Sequence, residues 1–132
     1  MDVESGLEPN LDQFLLARIA EDKRIATDAA GAIGRGDWTP ADVPEESGLA
    51  GAAELVARYD PARVLAECAA KRKLVMACRD ARPDLAFLGT RPRGMADFPL
   101  SPSGPHQLAA FTLAVLAMPY AGHPDYRDEW RP

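Results

Sequence analysis

The chain has few of the residues that announce chemistry. Among its 132 residues there are two cysteines and two histidines, and aromatic residues make up only 7%. Cys68 and Cys78 are separated by ten positions. On one helix that separation is about 15 Å at a rise of ~1.5 Å per residue, and a disulfide needs Cα atoms within ~7 Å. Pairing within one chain is therefore excluded, and free thiols suit a reducing cytoplasm. With His106 and His123 as the two histidines and no cysteine near either, the ligand set of a zinc site is missing. The Asp-rich spacing of an EF-hand is missing too, and no cofactor motif is present. The apolar run from Leu108 to Met118, broken by Thr112, is far short of the ~20 residues that span a bilayer, so no membrane partner is expected. The opening MDVESGLEPNL has no basic patch followed by a hydrophobic run, which predicts no secretory signal and a cytoplasmic location. No internal repeat and no convincing strand pair occurs. Lysine is scarce, three against twelve arginines, and alanine is abundant, a hint of a GC-rich genome and nothing about mechanism.

What is present is enough for one core. A chain of this length matches a single domain, residues 1–132, and buries roughly two-thirds of its unfolded surface. Its net charge of −5 is unevenly spread. Residues 1–60 carry thirteen acids and five bases, residues 61–94 three acids and eight bases, and residues 95–132 four acids and two bases. Such separation either attracts an external partner or lets one half of the fold neutralise the other, and the second needs no ligand.

Helical signals dominate. Asn10 followed by Gln13 is a capping-box pattern, and Leu11, Phe14, Leu15, Ile19, Ile25, Ala26 and Ala29 then recur at helical spacing. Arg18, Glu21, Lys23 and Arg24 fall largely to solvent, and Gly31 is the expected stop. Residues 31–48 read as a loop with Trp38 as its large anchor. Helical character resumes near Leu49, through Leu55, Val56 and Tyr59. Asp60-Pro61 starts a third helix that runs to about Asp80 and buries Val64, Leu65, Cys68, Val75 and Cys78, with Arg82-Pro83 beyond its end. Residues 89–105, dense in Gly and Pro, form a long loop. Pro105 opens a fourth helix that Pro119 closes. A helix apolar on every side belongs at the centre of a bundle or in a subunit interface. Pro124 then opens a short turn that places Tyr126 and Trp130 on one face. The expected fold is all-α: a compact bundle of about four helices around a central apolar helix, with an aromatic C-terminal tail packed on it.

Four places invite a functional reading, and each has a plainer one. Gly31-Ala-Ile-Gly34-Arg-Gly36 looks like a phosphate-cradling loop, but a helix precedes it and no Lys-Ser or Lys-Thr follows, which favours a helix stop. Lys71-Arg72-Lys73, with Arg79, Arg82, Arg91 and Arg93, is the basic region that nucleic-acid binding would need. No recognition motif fits it, and a solvated face or a dock for the acidic first half is favoured. His123, Asp125, Asp128 and Glu129 supply proton-transfer groups, but no nucleophile is singled out, so a hydrogen-bonding role for His123 is favoured over catalysis. Tyr120, Tyr126 and Trp130 could be recognition anchors, though packing on the helices is favoured.

Two blocks together resemble a known family. DPARVLAECAAKRKLV at Asp60–Val75 and LAMPYAGHPDYRDEWRP at the terminus are similar to small uncharacterised actinobacterial and actinophage proteins, a domain of unknown function. FLLARIAEDKRIA and the Trp in Gly36-Asp37-Trp38 fit the same pattern. Members often carry histidines before the Asp-Pro, where this chain has Leu55 and Tyr59, so a metal site built on them does not carry over. The stretch after Trp38 often looks strand-forming in relatives, whereas TPADVPEESG does not. The resemblance implies a mobile-element-associated protein and adds no catalytic residue.

The sequence therefore leads to a cytoplasmic, non-enzymatic helical protein that binds another protein or itself, acting as an interaction or regulatory module of a mobile element or phage. An inhibitor of host defence is a special case. Candidate binding residues are Tyr120, His123, Asp125, Tyr126, Trp130, Lys71 and Arg72, with no catalytic residue and no metal ligand assigned. Nucleic-acid association through residues 63–93 and an enzyme using His123 with nearby carboxylates are the alternatives.

Overall fold

A computed structural model describes residues 10–43, 50–90 and 104–132. Among them all regular structure is helical, and no strand occurs. The helices are α1 (Leu11–Ile33), α2 (Ala53–Arg58), α3 (Pro61–Asp80), α4 (Ala86–Thr90) and α5 (Gly104–Ala117). Single 3₁₀ turns lie at Pro40–Asp42, Ala50–Ala52, Met118–Tyr120 and Asp128–Trp130. The all-α expectation holds, with α4 as a short helix the sequence pattern had not marked. The helical onset near Leu49, Arg91, Arg93 and most of the 89–105 loop lie outside the described residues.

The chain groups into two compact units, Met1–Arg18 with Arg72–Pro132, and Ile19–Lys71. In the first, Leu11, Phe14 and Leu15 of α1, Val75 and Cys78 of α3, and Leu88 of α4 are buried. From α5 the core takes Ala109, Ala110, Leu113, Ala114 and Ala117. At 100° per residue these five fill an arc of about 140°, and the four alanines let neighbours approach closely. α4 packs against α5 and the turn at Asp128–Trp130.

The apolar helix is not enclosed on every side, as the sequence had suggested. Leu108, Val115 and Met118 are 51%, 40% and 54% exposed. Leu108 and Val115 fall within about 20° of one another, opposite the centre of that buried arc. The neighbours cover four alanines and Leu113 and leave Leu108, Val115 and Met118 outside.

Local chemistry sets the helix ends. The Asn10 N–H donates to Gln13 Oε1 at 3.2 Å, the Gln half of a capping box. α3 ends with Arg82 in the left-handed region, φ +59°, a conformation in which a non-glycine residue is strained. His106, in the first turn of α5, lies 3.0 Å from the carbonyl oxygens of both Ala81 and Arg82. Both are acceptors, so Nδ1 carries the proton and donates to them. The Asp84 N–H donates back to the His106 carbonyl at 3.0 Å. One histidine thereby occupies carbonyls at the end of α3.

The second unit depends more on polar caps. α1 passes through Gly31 and stops at Gly34, whose φ is +98°. The Gly34 N–H closes that turn on the Ala30 carbonyl at 2.8 Å. A single left-handed residue ends a helix, and the chain makes that turn three positions later than expected. Ile25, expected in the core, is 53% exposed. Arg18, in the first unit, runs the other way: it is half-buried, its guanidinium 5.5 Å from the Phe14 ring centroid.

Asp60 ties the loop to α3. Its Oδ1 accepts the Arg63 N–H at 2.8 Å, capping the helix, and its Oδ2 accepts the Trp38 N–H at 3.0 Å. The Ala62 N–H donates to the Gly36 carbonyl at 2.9 Å beside it. Asp42 likewise accepts from the Thr39 N–H at 2.7 Å and from Arg35 at 2.6 Å.

The Trp38 and Arg63 N–H groups hold the Asp60 carboxyl below the ordinary carboxylate range, and the Thr39 N–H with Arg35 does the same for Asp42. Groups lowered in the folded state add stability above their unfolded pKa and lose it as the pH falls through the folded one. Asp60→Asn should therefore melt below the parent at neutral pH, with the gap narrowing steadily as the medium is acidified past the carboxylate range. Thermal melts across that pH series check this, and a gap independent of pH would contradict it.

Candidate functional site

The C-terminal tail closes on one ring. Phe14, 2% exposed, meets Trp130 at 5.1 Å between centroids, His123 at 5.6 Å, Tyr126 at 6.0 Å and Tyr120 at 6.4 Å. Three of these contacts are edge-on and one is tilted, the arrangements that ring quadrupoles favour. Tyr126 and Trp130 also meet at 5.6 Å, interplanar 89°. A turn does open at Pro124, closed by the Tyr126 N–H on the His123 carbonyl at 3.0 Å, and a 3₁₀ turn at Asp128–Trp130 follows it. The LAMPYAGHPDYRDEW block thus wraps a single phenylalanine of α1.

Of its neighbouring carboxylates His123 meets Asp125 at the limit of ion-pair distance. Its Nδ1 accepts the Asp125 N–H at 3.0 Å, so that nitrogen is unprotonated and engaged within a tight turn. The Asp125 carboxylate stands 4.0 Å from the same nitrogen and is 61% exposed. Arg131 holds Asp128 at 2.7 Å, and Arg127 stands 3.9 Å from Glu129. The four groups do not converge on a common point, as shared proton transfer would require. Among the described residues, no three His, Cys, Asp or Glu side chains gather as a metal ion would need.

The basic region is likewise partly spent inside the chain. Arg63 pairs with Glu67 at 2.9 Å and lies 4.4 Å over the Tyr59 ring, and Arg79 stands 3.5 Å from Asp12. Arg72 and Lys73 are exposed. Lys71 is half-buried and turns into a cleft.

That cleft, about 360 Å³ within Ile19–Lys71, was not marked by the sequence reading. Trp38, Tyr59, Ile25 and Val64 give it apolar walls, and Asp22, Glu67 and Lys71 bring charge to it. Cys68 also lines it, 6% exposed, with burial pushing its thiol up and out of the reactive range. Cys78, in the other unit, is raised by burial as well. The missed residues come from three separated segments, so no local spacing could have gathered them. Their one sequence signal was a tryptophan in a polar loop.

Taken together these are the features of a small all-helical protein without a catalytic constellation among its described residues. The chain belongs to the DUF6221 family, a family of unknown function, whose model matches residues 8–132. No curated protein and no solved structure matches the chain. Among the described residues no helix is long and apolar enough to cross a membrane.

If the aromatic cluster is mainly structural, Phe14→Ala should cost about 3–5 kcal/mol of unfolding free energy. It should also shift Trp130 emission toward that of exposed indole. Urea titration followed by fluorescence reads both, and a loss under about 1 kcal/mol would reassign the cluster to recognition.

Proposed function

We propose that this protein is a binding module that works through the exposed side of α5, with a second copy of itself as the first partner. The observation that carries this is the pair Leu108 and Val115, exposed on a helix with no charged side chain and continued by exposed Met118 in the 3₁₀ turn that follows. The sequence from Phe98 to Pro124 holds no Asp, Glu, Lys or Arg. Leu108 and Val115, seven positions apart, lie about 20° from one another around the helix.

An uncharged apolar stripe gains by covering itself, at about 25 cal/mol per Å² of apolar surface removed from water. The chain carries −5 overall, yet α5 itself brings no Asp, Glu, Lys or Arg to such a pairing. A two-fold axis across the stripe makes the surface its own complement. The family resemblance supports a setting in an actinobacterial or phage mobile element, in the cytoplasm, with a host protein as an alternative occupant of the stripe. The nucleic-acid reading has less support, since Arg63 and Arg79 are paired within the chain.

Val115→Arg adds one charge at an exposed position and leaves the buried alanine face untouched. Light scattering should give the parent a mass above 14.2 kDa that grows with concentration, and the variant 14.2 kDa throughout. A parent that stays monomeric across the accessible range would defeat self-association. A duplex-DNA mobility shift that fades steeply with salt would favour the nucleic-acid reading instead.

A further inference from the structure

The two histidines of the unit formed by Met1–Arg18 and Arg72–Pro132 use the same ring atom in opposite ways. His106 Nδ1 donates to the carbonyls of Ala81 and Arg82, both at 3.0 Å. His123 Nδ1 accepts the Asp125 N–H, also at 3.0 Å. A neutral imidazole has one donor and one acceptor nitrogen, whereas a protonated one has two donors. Protonation therefore adds a hydrogen to His106 at Nε2 and leaves its Nδ1 contacts in place. At His123 the new hydrogen goes onto Nδ1, where it meets the Asp125 N–H head-on. Imidazole is the side chain that ordinarily changes charge between about pH 5 and pH 8. Mild acid thus breaks one contact and spares the other.

The turn carries a replacement partner. The Asp125 carboxylate stands 4.0 Å from His123 Nδ1, about 1 Å beyond hydrogen-bond distance. Carboxylates are ordinarily ionised across the imidazole range. The main chain at this point is already tied: the His123 N–H donates to the Tyr120 carbonyl at 2.9 Å, and its carbonyl accepts the Tyr126 N–H at 3.0 Å. The imidazole lies edge-on to Phe14 at 5.6 Å. Arg18 of α1 stands over that same Phe14 ring, and Arg127 and Arg131 stand over Trp130 and Tyr126. With three guanidinium groups bordering the cluster, an imidazolium there gains from a carboxylate, and Asp125 supplies one at the limit of ion-pair distance.

We propose that His123 and Asp125 form a proton switch in the C-terminal block. With His123 neutral the turn is closed by the Asp125 N–H; with His123 protonated it is closed by the Asp125 carboxylate, and the imidazole moves against Phe14. Tyr126 and Trp130 pack on the same phenylalanine, so the swap reaches the whole aromatic cluster.

Heteronuclear NMR of the nitrogen-labelled full chain, titrated through the imidazole range, tests this without any substitution. The neutral His123 ring should carry its proton on Nε2 and the neutral His106 ring on Nδ1. As His123 is protonated, exchange of the Asp125 amide, corrected for its intrinsic pH dependence, should speed about tenfold. The Phe14 ring signals should move in step, while the Asp84 amide, bonded to the His106 carbonyl at 3.0 Å, stays still. Asp125→Asn keeps the backbone donor and loses the ionised acceptor. Its melting temperature should therefore fall further below the parent's as the medium passes from neutral to mildly acid. A neutral His123 ring with its proton on Nδ1, or an Asp125 amide indifferent to the titration, would overturn the switch. A melting gap of equal size at both ends of the range would remove the carboxylate from it.

Discussion

An apolar helix with two sides can be buried by its neighbours on only one of them unless it is surrounded, and α5 is not surrounded. Its alanine face lies in the core of the unit formed by Met1–Arg18 and Arg72–Pro132. Small side chains make that contact close, and the hydrophobic gain there depends on fit more than bulk. Leu108, Val115 and Met118 are left exposed on the other side. Water contact on that stripe is the cost of this packing, and the sequence from Phe98 to Pro124 holds no charge. Burial of one face and exposure of the other thus have a single cause.

The two units are held by different chemistry. In the first, Phe14 gathers His123, Tyr120, Tyr126 and Trp130, and His106 closes the end of α3. In Ile19–Lys71 the buried hydrophobic residues among those described are Ile19, Ala26, Val43, Ala57 and Cys68, and Asp60 and Asp42 set the loop between α1 and α2 through backbone N–H groups. Polar caps fix geometry without filling space. An open cleft beside Trp38 is consistent with that construction, because the walls are positioned while the volume between them stays empty.

Where local chemistry decides, the sequence was readable. Asn10 with Gln13, and Asp60 with Pro61, marked the starts of α1 and α3, and Arg82-Pro83 marked the end of α3. All three are signals that act within one helical turn. Which of Gly31, Gly34 and Gly36 would turn left-handed was not readable, because the chain must also bring Gly36 onto Ala62 far away in sequence. The exposed side of α5 was hidden for another reason: a helix apolar all round has no periodicity to show which side faces in. Arg18 looked like a solvent residue because its partner ring, Phe14, precedes it by one turn on the buried side. The tail residues were correctly singled out by type, but their shared contact with Phe14 needed the fold. The cleft needed it even more, since Ile25, Trp38, Tyr59 and Val64 have no common spacing.

The account rests most heavily on what covers the α5 stripe in solution. Methyl NMR of the labelled full chain over a dilution series addresses that directly, because Met118 and Val115 lie in the stripe while Leu113 lies beneath it. The expected result is concentration-dependent movement of the Met118 and Val115 methyl signals with Leu113 nearly still. Stationary signals for all three from dilute to concentrated protein would contradict it.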